Sequence, residues 1–259
     1  MSRAAGGSAA LFLIVALAVC LVACLGACSS PSTTGPTAPD DGTSAPEGAD
    51  TARLERALML LQAAQRYAFT VTTWEIGPEG GQLLVETSGV KVAPWTSLHI
   101  HAVLSDRTAD IVYSEKGAAG RVTGEAWSGA GALMDSAVWL QELPLESEFV
   151  DKSLIPTVTA TAAVVDPEAP IPEPYPAAPT RAVEAYSWSN PLMTGARIDA
   201  QVDTTAWLNQ AGWILRFDRE TTPASAQSGL RHTYTVIVFS RQGDSTLTLP
   251  VNDFEDAVE

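Results

Sequence analysis

Beyond position 28 the chain has no cysteine. Cys20, Cys24 and Cys28 are the only three in 259 residues. The long remainder therefore forms no disulfide, no thiolate metal site and no catalytic thiol. Positive charge is also scarce, with 15 Lys+Arg against 30 Asp+Glu and a formal net charge of −15. Such a balance excludes nonspecific nucleic-acid binding, which needs a basic surface to displace counterions. It equally excludes electrostatic docking on anionic lipid. There is no Gly-x-Ser-x-Gly elbow, no glycine-rich phosphate loop opening a helix, and no acid-dense calcium loop around a glycine. With charged residues at 17% and apolar residues at 46%, the chain has enough core-forming material to fold without covalent staples.

What is present begins with an address. Met1-Ser2-Arg3 precedes an apolar run from Ala9 to about Ala27, the charged-then-apolar order of an export signal. Leu25-Gly26-Ala27-Cys28 has the form of a bacterial lipobox, so residues 1–27 are expected to be removed and Cys28 acylated. Leu21-Val22-Ala23-Cys24 fits the same pattern, with Cys24 as the alternative. Cys28 is preferred because Ser29-Ser30-Pro31 starts a polar segment directly after it. Diacylglycerol plus an amide-linked chain such as palmitate anchors a protein durably, where one chain does not. Loss of Arg3 leaves a mature charge of about −16. The expected location is the outer face of the cell membrane of a bacterial envelope.

Residues 28–49 are Ser, Thr, Pro, Gly, Ala and acid with no large apolar side chain, which reads as a disordered tether. One domain is expected over 50–253, with a tail at 254–259. Asp50 reads as an N-cap, and Leu54, Leu58, Leu61, Ala64 and Ala68 recur at helical spacing over Thr51–Tyr67. Strands are expected at Phe69–Ile76, Gln82–Val92, Trp95–Leu104, Ala109–Glu115 and Arg121–Ser128. A helical segment at Leu133–Leu143 and a strand at Thr157–Val165 follow. Six of the fourteen residues Asp166–Pro179 are proline, an extended insertion without ladder donors. It could receive a partner that reads polyproline, or flank a cavity mouth. A second meander closes the chain, with strands at Arg197–Trp207, Trp213–Glu220 and Arg231–Ser240.

Candidate chemistry is thin. His99 and His101 share one face of a strand, a spacing that holds Zn²⁺ or Cu²⁺ only if a third ligand converges; none is evident, and no metal or cofactor is expected. Glu142, Glu146 and Glu148 read as a solvated face, and Asp40-Asp41 lies in the tether. No serine has an argued base, so no enzyme is expected. All seven tryptophans follow the tether, either as core and rim of a sheet or as walls of an apolar pocket.

Three local patterns, Tyr67-Ala-Phe69-Thr-Val71 after the helix, the Val202-Asp203…Ala211-Gly212…Arg216 hairpin and Val238-Phe239-Ser240…Leu249-Pro250, carry a resemblance. With the lipobox, tether and helix-then-meander order, the chain resembles the LolA-like exported lipoproteins of the LppX and LprG type. The 166–179 insertion departs from that pattern. The resemblance implies an α+β fold, a strongly curved antiparallel half-barrel covered by a few helices around an apolar cavity. It implies a non-catalytic role: binding or carrying a lipid or lipoglycan cargo in the envelope. The alternative is a scaffold or regulatory lipoprotein with a protein partner. Candidates for the lining of such a cavity are Leu54, Leu58, Leu61, Phe69, Val71, Trp74, Leu84, Ile100, Trp127 and Trp213.

Overall fold

The computed structural model describes residues 51–114, 117–143, 152–194 and 197–249. The signal, Cys24, Cys28, the tether, Glu146, Glu148 and the 254–259 tail lie outside them. Among the described residues, eleven strands form a single antiparallel sheet. The first meander is β1 (Arg66–Gly77), β2 (Gly80–Val92), β3 (Trp95–Ala102), β4 (Arg107–Ser114), β5 (Gly117–Val122) and β6 (Ser128–Gly129). The second is β7 (Ala163–Val165), β8 (Glu184–Thr194), β9 (Arg197–Leu208), β10 (Ile214–Pro223) and β11 (Thr233–Ser240). Pairing of β1 with β11, from Ala68↔Ser240 to Glu75↔Thr233, joins the two meanders at the centre. The outermost strands β6 and β7 are two and three residues long, which leaves little free edge for aberrant pairing.

Among the described residues, three helices cover one face: α1 (Ala52–Ala63), α2 (Ala130–Ser136) and α3 (Ile155–Thr161). Leu54, Ala57, Leu58 and Leu61 form the buried stripe of α1. They share one apolar cluster with Ile100 and Ile111 of the first meander and Phe217 and Ile237 of the second. Laid flat, eleven strands at about 4.8 Å spacing would be nearly 50 Å wide, whereas twisted open sheets beyond ~10 strands curl. The α+β architecture is thus an open, curled antiparallel sheet with helices against its inner face. Glycine makes two of these approaches. A Cβ on Gly89 would sit 2.1 Å from Phe69 Cζ, and one on Gly120 would sit 2.4 Å from Leu133 Cδ2. The first lets a ring lie across β2, and the second lets α2 pack on β5.

Several expected boundaries moved. The first helix ends at Ala63 rather than Tyr67, because Tyr67, Phe69 and Val71 are taken into the sheet as inward residues of β1. Thr51 precedes α1 without a side-chain cap. The fifth strand begins at Gly117 and ends at Val122 rather than spanning Arg121–Ser128. The segment expected as a strand at Thr157–Val165 is α3 followed by β7. Its β-branched residues favour a strand, but Pro156 opens the helix. The Thr159 and Thr161 hydroxyls donate to the Ile155 and Thr157 carbonyls at 3.0 Å each. Ile155 and Val158 then bury on one side, three residues apart. The helical segment expected at Leu133–Leu143 is α2 plus a 3-10 turn at Val138–Glu142. No element was expected over 180–196, yet β8 spans eleven residues there.

Candidate functional site

Side chains point alternately to the two faces of each strand, and the two faces of the sheet are chemically distinct. Tyr67, Phe69 and Val71 of β1, Tyr186 and Trp188 of β8, Phe217 of β10 and Ile237 and Phe239 of β11 point inward. Rings dominate the middle of this layer. Phe217 meets Phe239 edge-on at 5.6 Å and Trp188 at 6.1 Å, and Tyr67 meets Phe239 at 5.8 Å. The helical side contributes Leu54, Leu58, Leu61, Leu133, Leu140, Ile155 and Val158. The buried threonine Thr73 satisfies its hydroxyl against Thr235 Oγ1 at 3.1 Å. The buried ion pair, Arg216 with Asp218, lies on the other side of β10 from Phe217. The inner layer is therefore an apolar medium between a wide sheet and a narrow set of helices.

Seven of the ten lining candidates, Leu54, Leu58, Leu61, Phe69, Val71, Leu84 and Ile100, fall in this one cluster, all at 4% exposure or less. The remaining three do not. Trp74 faces outward, where its ring meets Tyr175 of the proline-rich insertion at 5.5 Å. Trp127 is half-buried under the Arg121 guanidinium, 5.0 Å from it. Trp213 is half-buried beside the β9–β10 turn, its backbone N–H donating to Asn209 Oδ1 at 3.0 Å. Sequence spacing could not separate these, because an outward-facing tryptophan under a strap and an inward one look alike in one dimension. Tyr186, Trp188, Phe217 and Phe239 also belong to the inner layer. Alternation with polar neighbours marks Phe217 and Phe239 in β10 and β11, whereas Tyr186 and Trp188 lie in β8, where no element was expected.

Two polar grooves mark the outer face. One, of about 630 Å³, lies over β1 to β4 between Thr70, Thr72, Glu86, Ser88, His99, His101 and Thr108. Its histidines are engaged by carboxylates: His99 Nδ1 lies 2.9 Å from Asp110 Oδ1, and His101 Nε2 lies 3.2 Å from Asp106 Oδ1. His232, the third histidine, is 2.8 Å from Glu220 Oε1 in the other meander. Among the described residues no cluster of three or more His, Cys, Asp or Glu is arranged to hold a metal. The other groove, of about 440 Å³, runs between Ser187, Ser189, Asp203, Thr205, Asp218, Glu220 and Tyr234.

Electrostatics concentrate beside that second groove. Arg216 and Asp218 are 2% and 4% exposed. Arg216 Nε and Nη2 both donate to the Asp218 carboxylate, the latter at 2.6 Å, and the guanidinium stacks 5.2 Å from the Trp207 ring. Burial pushes the Asp218 carboxyl above its ordinary value even though Arg216 and the Tyr234 hydroxyl pull the other way. Tyr234 donates to Asp218 Oδ2 at 2.5 Å. Burial first, and then the Asp218 charge, raise its phenol strongly.

No family model matches this chain, and no curated sequence matches it. Among solved structures it is similar to the Mycobacterium tuberculosis lipoprotein LppX. That match has 11% identity and a TM-score of 0.45, over 78% of this chain and 96% of the other. It is also similar to a LolA superfamily protein from Nitrosomonas europaea, with 11% identity, a TM-score of 0.28, and 71% and 91% of the two chains covered. A third likeness is a putative outer membrane lipoprotein-sorting protein domain from Vibrio parahaemolyticus. There the identity is 11%, the TM-score 0.29 and the coverage 79% and 98%.

Proposed function

We propose that this protein is an envelope lipoprotein that binds the acyl chains of a lipid or lipidated molecule between its sheet and its helices, without catalysis. The observation that carries the reading is the inner layer itself. It is an aliphatic and aromatic medium under a cover of which two parts, α2 and α3, are only seven residues long each. Isolated helices that short do not persist in water, so α2 with the turn after it, and α3, hold their places through Leu133, Leu140, Ile155 and Val158. Displacing four such side chains costs roughly 6–12 kcal/mol at 1.5–3 each. A sixteen-carbon acyl chain gains about 12 kcal/mol on leaving water, at about 0.8 per CH₂. The two quantities are of one size, so an acyl chain is a competent wedge. Cys28 would carry the anchor and residues 28–49 would hold the domain off the membrane.

The dense closed packing favours a second reading, a scaffold or regulator whose interior never opens and which acts through its outer face on an envelope protein. Titration with a fluorescent polyene fatty acid separates the two. The carrier reading expects saturable uptake at one site with a blue-shifted, water-excluded signal. Absence of uptake while a detergent-free sample stays folded removes that reading.

A further inference from the structure

The proline-rich insertion is a strap across the outer face. Residues 166–183 leave β7 at one edge of the sheet and pass over β10, β11 and β1 to the start of β2. They then return to β8. Their backbone hydrogen bonds within the strap are local turns: Ala169 to Asp166, Tyr175 to Pro172 and Ala182 to Pro179. What fixes the strap to the sheet is a short recognition surface around Pro174, Tyr175 and Ala177. The Tyr175 ring stacks on Tyr234 with centroids 3.9 Å apart and planes 20° apart. Its edge meets Trp74 at 5.5 Å. Gly81 supplies bare backbone beneath it: a Cβ there would lie 3.2 Å from both Pro174 Cγ and Tyr175 Cε1. Arg216 Nη1 donates to the Ala177 carbonyl at 2.6 Å.

These parts are the ones that polyproline recognition needs. An extended proline-rich segment has few N–H donors, so it is held by aromatic walls on its side chains and by donors aimed at its carbonyls. The donor is held in place from below, because Asp218 engages Nε and Nη2 of Arg216 and leaves Nη1 for the peptide. Tyr234 is held by the same carboxylate. We propose that the outer face formed by Trp74, Gly81, Arg216 and Tyr234 is a binding groove for an extended proline-rich peptide bearing a tyrosine. Residues 172–177 occupy that groove in cis. The occupant gives the ligand's chemistry: a proline on each side of a tyrosine, and a free carbonyl two residues beyond it. Residues 29–50, though rich in Ser, Thr and Pro, contain no aromatic residue and do not match it. The strap thus covers the groove against a partner segment of the same composition. This site is on the opposite face from the acyl-binding layer and stands whether or not a lipid binds there.

The test uses the full chain and a labelled synthetic peptide of the sequence Pro170-Ile-Pro-Glu-Pro-Tyr-Pro-Ala-Ala-Pro179, read by fluorescence anisotropy. Tyr175→Ala empties the aromatic part of the groove without altering the sheet. An intramolecular segment competes at an effective concentration on the order of millimolar, so Tyr175→Ala should bind the peptide at least about tenfold tighter than the wild type. Adding Trp74→Ala, or replacing the tyrosine of the peptide by alanine, should abolish that gain. Equal affinity of wild type and a folded Tyr175→Ala, or a gain that survives Trp74→Ala, overturns the proposal. A second measurement needs no variant: hydrogen exchange of the wild type at several millimolar peptide. Faster exchange of strap amides supports displacement in trans, and unchanged exchange overturns it.

Discussion

Gly89→Ala tests how tightly the inner layer is built. Phe69 pairs with Gly89 across β1 and β2, and its ring lies over the bare glycine. An alanine Cβ would meet Phe69 Cζ at 2.1 Å and the two Cε atoms at 2.5 and 2.7 Å. No rotation within that space relieves three such contacts, so the ring must leave its place. Phe69 is 2% exposed and packs against Tyr67 at 5.9 Å. Alanine itself is favoured over glycine in a strand by about 0.5–1 kcal/mol. Overpacking costs about 1–3 kcal/mol, and full loss of a buried phenylalanine sets a ceiling of about 3–5. The net expectation is a loss of about 2–3 kcal/mol. In urea, followed by tryptophan fluorescence with a slope of about 2 kcal/mol/M, the midpoint should fall by about 1–1.5 M with the slope unchanged. Phe69→Leu should rescue: the double variant should fall short of the sum of the singles by at least about 1 kcal/mol. A midpoint shift under about 0.3 M, or strict additivity, would refute the packing assigned to this pair.

Other outcomes follow from the same contacts. Asp218→Asn removes the counter-charge of an Arg216 that is almost wholly buried, and thermal unfolding should register about 3 kcal/mol of lost stability. Since burial raises the folded carboxyl of Asp218, the folded state binds the extra proton. Its contribution therefore favours the fold below the unfolded value near 4. That contribution is lost as pH rises through the folded value, a slope that Asp218→Asn should remove from a stability–pH series. Asp244 behaves oppositely. Hydrogen bonds from the Thr246 hydroxyl and N–H, with Arg241, hold its carboxyl down at about 2. The order of the 241–246 turn, followed by NMR, should persist above about pH 4 and fail towards pH 2. Leu133→Ala should cost about 2–4 kcal/mol and speed hydrogen exchange in α2 more than in β1; uniform acceleration would argue against a separately movable cover. Cys28→Ser should abolish acylation in a bacterial host that processes lipoproteins, whereas retained acylation would implicate Cys24.

Legibility in the sequence was uneven for physical reasons. The strands of the second meander stood out because Thr, Tyr and Val alternate in Thr233–Ser240, and the β9–β10 turn is marked by Gly212 at φ +82°. Residues Leu54, Leu58 and Leu61 announced the inner face through helical spacing alone. By contrast, α3 hid behind β-branched residues, whose hydroxyl bonds and Pro156 start are visible only in three dimensions. Gly120 lies within β5 because Leu133 needs the space a side chain there would fill. The insertion at 166–179 declared itself extended, but its partners Trp74, Gly81, Arg216 and Tyr234 are distant in sequence. Trp74 was therefore grouped with the inner wall. Asp218 and Arg216 lie on the outer face of β10, and their pairing under the strap shows only in three dimensions.

Native mass spectrometry of the protein purified from its own host reads out whether the inner layer admits acyl chains. The expected result is a reproducible non-covalent adduct of lipid mass, separate from the covalent anchor and released by organic solvent, that reforms when the extracted lipid is returned. A single mass equal to the acylated chain alone, with no uptake of added lipid, would contradict it.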